Sequence, residues 1–226
     1  MHATALLHLL QLVSPALPIG AYSYSQGLEA ALENKQVTDP ASARAWIVDT
    51  LHQVVARFEA PVLCRLMAAF AARDAEAVTC WTERFLAARD TAEFRAETIQ
   101  MGYSLGKLVA ELDIADAALL QLLQSQPEIP LPTALAFAAV ALDVPHSAAV
   151  LGMLFSWAEN QVIVCVKSVP LGQVAGQRLL LSLRPELERA AHHAQELTDD
   201  ALCTWSPGLS LLSMQHEVQY SRLYRS

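Results

Sequence analysis

The stretch "TAEFRAETIQMGYSLGKLVAEL", residues 91–112, follows Asp90 and holds the longest regular pattern in the chain. Phe94, Thr98, Met101, Leu105, Leu108 and Leu112 recur at alternating spacings of four and three, which puts them on one stripe of a helix. Gln100, Tyr103, Ser104 and Lys107 fall on the opposite face. The same period holds on either side. Asp39 before Pro40 reads as an N-cap with proline at the first helical position. The helix it opens carries Trp46, Ile47, Leu51, Val54, Val55 and Phe58 inward. Pro61 is expected to begin another helix, and Ala75–Ala88 to form a third around Trp81, Phe85 and Leu86. Pro132 and Pro145 read as first-turn prolines, and Pro170 and Pro185 as the starts of the last two helices. No run alternates with period two, and β-branched residues are sparse outside 162–169. The expectation is an all-α fold. Residues 1–226 should form a single compact multi-helix domain of about nine or ten helices, with 213–226 as a C-terminal tail.

Composition narrows the function. Of 226 residues 54% are apolar and 17% charged, against about 45–50% and 25% in ordinary soluble domains. That excess calls for a thick helical core or an apolar surface that a partner covers. A net charge of −8 argues against nucleic acid, whose recognition needs clustered Lys and Arg. No secretory signal is expected from residues 3–13, which lack a basic lead and a cleavage site. Residues 147–166 are long enough to cross a membrane, but Glu159, Asn160 and Gln161 would lie in the hydrocarbon. They read as a buried helix, and no membrane contact is expected. Cys64, Cys80, Cys165 and Cys203 are scattered and read as free thiols of a reducing cytosol.

Against this background "SPALPIGAYSYSQGLEAAL", residues 14–32, is foreign. It lacks the lysine of a phosphate-binding loop and the Gly-x-Ser-x-Gly of a nucleophile elbow. A plain turn accounts for part of it: Pro15 and Pro18 end one helix, Gly20 permits positive φ, and Ser23 or Ser25 caps the next. A turn does not need Tyr22, Tyr24 and Gln26 together, and tyrosine is an amphipathic anchor favoured at interfaces. Metal and catalytic readings fare poorly. His192 and His193 are adjacent and point apart on a helix, and His216–Glu217 lacks a second histidine at position 220, which is Tyr220. No metal site is expected and no catalytic residue is assigned. Glu159, in a nearly uncharged helix, should be buried with a partner or line a polar passage.

Further stretches stand out: "RAETIQMGYSLGKL", "PLGQVAGQRLL" and "HEVQYSRLYRS". With "LLQLVSPALPIGAYSYSQGLE" they occur in the order and places seen in the UreF family of urease accessory proteins, which this chain resembles from Leu6 to Ser226. The resemblance implies a non-enzymatic, all-helical, dimerising cytoplasmic chaperone. Such a protein bridges UreD (also called UreH), bound to urease apoprotein, and the GTPase UreG, gating or coupling GTP hydrolysis during nickel insertion. Nickel would pass in transit, GTP would be held by the partner, and no cofactor would be bound stably. By the same resemblance Pro18, Gly20, Tyr22, Ser23, Gln26 and Glu29 shape a partner-facing surface, with Gly27 needed for the backbone course. Gln100, Tyr103 and Lys107, with Gly172, Gln173 and Gln177, are candidates for the dimer or GTPase-facing surface. The tail from His216 and Glu217 onward would order on a partner, with Tyr220 packing into a pocket and Arg222 and Arg225 pairing with carboxylates.

Tyr22 stands where relatives commonly carry phenylalanine, and no His-rich terminus suggests nickel storage. Two other readings predict different behaviour. A helical adaptor sharing short motifs would have partners unconnected with nickel. An enzyme using Glu159 as a base would need a pocket and a polar neighbour around it.

Overall fold

The computed structural model describes residues 1–169 and 171–226. The stretch that decides the fold becomes α6, Ala92–Glu111, and begins where the Thr91 hydroxyl accepts the Phe94 N–H at 3.2 Å. Thr98, Met101, Leu105 and Val109 are buried along it, with Phe94 and Leu108 partly so. Leu112 departs from the expected stripe and is exposed: it lies past the last helical turn, where the neighbouring helices no longer cover it.

The remaining helices are α1 (Ala3–Leu12), α2 (Leu28–Glu33), α3 (Pro40–Thr50), α4 (Ala60–Ala72), α5 (Ala75–Ala87), α7 (Ala117–Gln124), α8 (Leu131–Ala141), α9 (His146–Ser168), α10 (Gln173–Glu196) and α11 (Pro207–Glu217). A π-helical segment, Leu51–Glu59, joins α3 to α4, so the described residues contain ten separate rods and no strand. The all-α single domain expected from the period is what forms. α8 lies against both α4 and α6, and α9 runs along α10. Phe70 of α4 meets Phe137 of α8 edge-on at 5.9 Å, and Phe58 stacks on Phe85 at 5.9 Å. α6 and α8 approach closely because Gly102 has no side chain: a Cβ there would overlap the Ile129 carbonyl and sit 2.7 Å from Leu131 N.

Three proline expectations change. Asp39 does cap α3, with Pro40 in its first turn. Pro61 does stand in the first turn of α4, but no break precedes it: α4 continues the π-helical segment in one rod. The Arg57 carbonyl, four residues before it, instead accepts the Cys203 N–H at 3.2 Å, which ties a distant segment to this point. Pro185 also lies inside a helix, α10. Leu181, whose carbonyl Pro185 has no N–H to serve, is solvent-exposed, while Leu183 and Leu187 hold the rod to the core. Pro145 stands one residue ahead of α9 as its N-cap. Pro170 lies outside the described residues.

α9 is long and apolar enough to span a membrane by length and composition, and half of its most apolar window is buried inside the domain. Glu186 of α10 gathers Arg44 at 3.1 Å, His52 at 3.0 Å and Arg189, and the His52 hydrogen bond leads in holding its carboxyl down at about 2. All four cysteines are free, with Cys64 and Cys165 buried.

Candidate functional site

The foreign segment is built as a loop between α1 and α2. A short 3₁₀ turn spans Ala21–Ser23, preceded by left-handed Gly20 (φ +76°), which takes the positive φ expected of it, and followed by left-handed Gly27 (φ +82°). Gln26 is also left-handed, at φ +56°, a conformation that costs a non-glycine residue about 1 kcal/mol or more. Its side chain offsets that cost. Gln26 Nε2 donates to Glu97 Oε1 at 2.7 Å and Oε1 accepts from the Trp157 indole at 2.7 Å. Asn160 donates to the Tyr24 carbonyl at 2.9 Å, and Gln161 to that of Ser25 at 3.3 Å. Two of the three polar residues that made α9 unfit for hydrocarbon, Asn160 and Gln161, are therefore among those that hold this loop. The Ser25 hydroxyl accepts the Glu29 N–H at 3.3 Å, so Ser25, and not Ser23, supports the start of α2.

The C-terminal segment folds onto this loop. On α11, Ser213 pairs with Thr91 at 2.8 Å. His216 is fully buried between two carboxylates, with Nε2 2.9 Å from Glu29 and Nδ1 2.9 Å from Glu93. Glu29 also accepts the Leu223 and Tyr224 N–H groups at 2.7 and 3.0 Å, and Arg222 pairs with Glu93 at 3.0 Å. Arg225 N–H donates to the Ser23 carbonyl at 2.8 Å. The Ser226 carbonyl accepts from Ser25 N–H at 2.6 Å, Gln26 N–H at 3.1 Å and Ser25 Oγ at 2.6 Å, and its hydroxyl donates to Glu97. Residues expected to wait for a partner thus already have ordering contacts within their own chain. Tyr220, expected to pack into a pocket, is fully exposed.

Burial dominates the electrostatics. It pushes the Glu97 carboxyl up to about 7 despite the hydrogen bonds from Ser226 and Gln26, and it raises Glu93 although His216 and Arg222 oppose. Burial likewise raises the Tyr24 phenol, with Arg225 opposing.

The sequence-predicted residues therefore divide. Gln26, Glu29, His216 and Arg222, with the Ser23 carbonyl, brace the loop and tail from within. Pro18, Tyr22, Gln100, Tyr103, Lys107, Glu217, Tyr220 and Arg225 are exposed. Gln100, Glu217, Arg222 and Arg225 line an open groove of about 410 Å³ floored by Tyr24 and α6. Tyr103 and Lys107 continue the α6 face one and two turns beyond Gln100. Gly172, Gln173 and Gln177 are elsewhere, exposed at the start of α10, where both glutamines line a second groove with Glu159. Glu159 is half-buried there, its carboxyl raised by that burial, and no described residue hydrogen-bonds it. The buried partner expected of it is not among the described groups. Among the described residues no His, Cys, Asp or Glu cluster is arranged to hold a metal.

Sequence reasoning missed Ser25, Glu93, Glu97, Trp157, Asn160 and Ser226 as members of the site. Glu93 and Glu97 are four apart on one stripe of α6, but by the same period that stripe also carries Gln100, Ser104 and Lys107, so spacing alone puts them on the polar side.

A family model described as UreF matches residues 37–184. Over the full length of both chains the protein is 76% identical to a urease accessory protein UreF of Janthinobacterium sp. (strain Marseille). It is 62% identical to that of Nitrosospira multiformis, and 45% identical to that of Dechloromonas aromatica, over nearly all of each chain. The exposed loop and tail lie outside the stretch that the family model matches, but both are inside the span shared with these relatives. The chain belongs to the UreF family of urease accessory proteins.

Proposed function

We propose that the chain acts, without catalysis of its own, as a cytoplasmic adaptor in nickel insertion, bridging the urease-bound accessory protein UreD/UreH and the GTPase UreG. Homodimers would gate or couple GTP hydrolysis while nickel passes in transit, with no cofactor held stably. One observation carries the reading. The two segments whose composition no packing rule requires, the 18–29 loop and the 213–226 tail, meet and leave Tyr22, Tyr220, Leu223 and Arg225 in solvent. Their buried halves explain the loop's shape, and their exposed halves remain for a partner. The polar face of α6 adjoins through Gln100, and the Gln173–Gln177 face would serve the dimer or the GTPase.

The test is nickel-dependent urease activity in cells whose urease cluster lacks its UreF gene, with this chain and its cognate partners supplied. Restored activity supports the assignment. No restoration, with the chain soluble and its partners expressed, removes it.

Tyr22→Ala separates docking from folding. Tyr22 is 59% exposed, so its removal should leave the melting temperature within about 2 °C of wild type. Partner affinity should fall roughly 5- to 150-fold, the usual range for an interface tyrosine that matters. Calorimetry paired with binding to the purified accessory partners reads both. A collapsed melting transition would instead make Tyr22 a structural residue.

A further inference from the structure

We propose that the cavity roofed by residues 15–21 is a binding site for a single aromatic ring carrying one hydrogen-bond donor, a ligand of the phenol class. This goes beyond the adaptor reading and does not depend on it. The roof is the part of the foreign loop that the tail contacts leave unexplained. Pro15, Ala16 and Pro18 face solvent, while Leu17 and Ile19 turn inward. They do not fill the space they reach. Together they line a cavity of about 100 Å³, with Met101 and Leu105 of α6 and Met153 and Trp157 of α9 among its other walls. An aliphatic cavity of about 150 Å³ takes up benzene, so one ring is the right scale. The two prolines limit the freedom of the roof to collapse inward, and the two methionines can adjust to the outline of a guest. Entry is from the rim, where Val13, Ile19, Ala21 and Met153 are only half-buried, whereas Leu105 is completely covered.

One part of the wall is polar, and its unused positions are acceptors. The Gln26 amide is engaged at both ends by Glu97 and Trp157, and Asn160 Nδ2 by the Tyr24 carbonyl. Glu59 Oε1 accepts from Arg89 at 2.7 Å, and that pairing offsets the carboxylate charge. Among the described residues nothing hydrogen-bonds Asn160 Oδ1, Ser156 Oγ or Glu59 Oε2, and all three side chains line the cavity. Ser156 and Asn160 are neighbours one turn apart on α9. A purely apolar guest would strip water from these oxygens and return nothing. A hydroxyl on the guest restores a hydrogen bond. A cationic guest has no counter-charge to meet, because Arg89 already pairs with Glu59.

Methyl NMR of the methionines in the full chain, titrated with phenol, tests this. Met101 and Met153 line the cavity, Met67 is buried elsewhere in the core, and Met1 and Met214 are exposed. Ring-current shifts should appear at Met101 and Met153 alone and saturate with a Kd of roughly 1 mM or below, as a ligand of this size permits. Toluene, of the same outline but without a donor, should bind roughly tenfold more weakly. Ala21→Leu and Leu135→Phe fill the cavity from two different walls, and each should weaken phenol roughly tenfold or more while the Met67 signal stays in place. N-acetyltyrosinamide identifies the source of the ring: affinity matching that of phenol points to a tyrosine side chain presented by another protein, and exclusion points to a free phenol. The proposal is overturned by no saturable shift up to about 20 mM phenol, by equal shifts at Met1 and Met214, by toluene binding as tightly as phenol, or by unchanged affinity in both filled variants.

Discussion

Gly102→Ala is expected to destabilise the protein by about 3 kcal/mol, lowering the melting temperature by roughly 6–12 °C. On propensity alone the change should help, because alanine is about 1 kcal/mol better than glycine inside a helix. Geometry reverses the sign. The new Cβ would collide with backbone, the Ile129 carbonyl, Pro130 C and Leu131 N, where α8 begins. No rotamer relieves a clash with main chain, so α6 and α8 must move apart. Both are core elements: Thr98 Oγ1 accepts the Leu131 N–H at 3.1 Å, and Phe137 of α8 is completely buried. Separation would open a gap along that seam. Gly106→Ala, one turn on, is the control. There a Cβ meets only side-chain atoms, the nearest 3.6 Å away at Ile129 Cδ1, so the substitution should be neutral or stabilising. Thermal unfolding of both variants decides the matter. Equal melting temperatures would mean that the α6–α8 spacing is softer than its contacts indicate.

Gly102 also marks where sequence reading succeeds and stops. The period of residues 91–112 gives the inward stripe of α6 and places Gly102 one turn past Thr98, at the edge of that stripe. It does not say that a backbone carbonyl waits there. Asp39–Pro40 is legible because a cap is a local arrangement, satisfied within three residues. Pro61 and Pro185 mislead for the complementary reason: each breaks a local rule that distant groups or solvent repair, Cys203 for one and an exposed helix face for the other. The candidate site divides along the same line. Tyr22 and Gln26 attract notice because a turn needs neither, but Gln26 is explained by Trp157, 131 residues away. The carboxylates that receive His216 lie 187 and 123 residues from it, and nothing near His216 in the chain announces them. Glu93 and Glu97 fall by period on the stripe of Gln100, Ser104 and Lys107, a polar face, and it is His216 and Ser226 packing there that covers them.

Glu29→Ala should free the tail while leaving the helical core folded. The Glu29 carboxylate accepts from His216, Leu223 and Tyr224, and its removal leaves two backbone amides and a buried ring nitrogen without an acceptor. Truncating one partner of such a buried cluster commonly costs about 3–5 kcal/mol. Global stability need not fall that far, because the tail can undock first, and once it is free the stranded groups find water. The loss is thus capped by the docking free energy of the tail and appears locally. Exchange protection of Leu223 and Tyr224 should drop roughly 100-fold or to the unprotected limit, with the core melting temperature lowered far less than by Gly102→Ala. Glu29→Gln should fall between, since its amide oxygen still accepts. The same variants probe the adaptor reading, in which Arg222 and Arg225 meet a partner's carboxylates. If the partner takes the tail in its docked form, Glu29→Ala weakens assembly with the urease-facing accessory protein; if the partner draws the tail out, assembly strengthens because the undocking cost has been removed in advance. Loss of the α9 and α10 core along with the tail would refute the separation of tail from scaffold, because a peripheral segment cannot carry the stability of the rods beneath it.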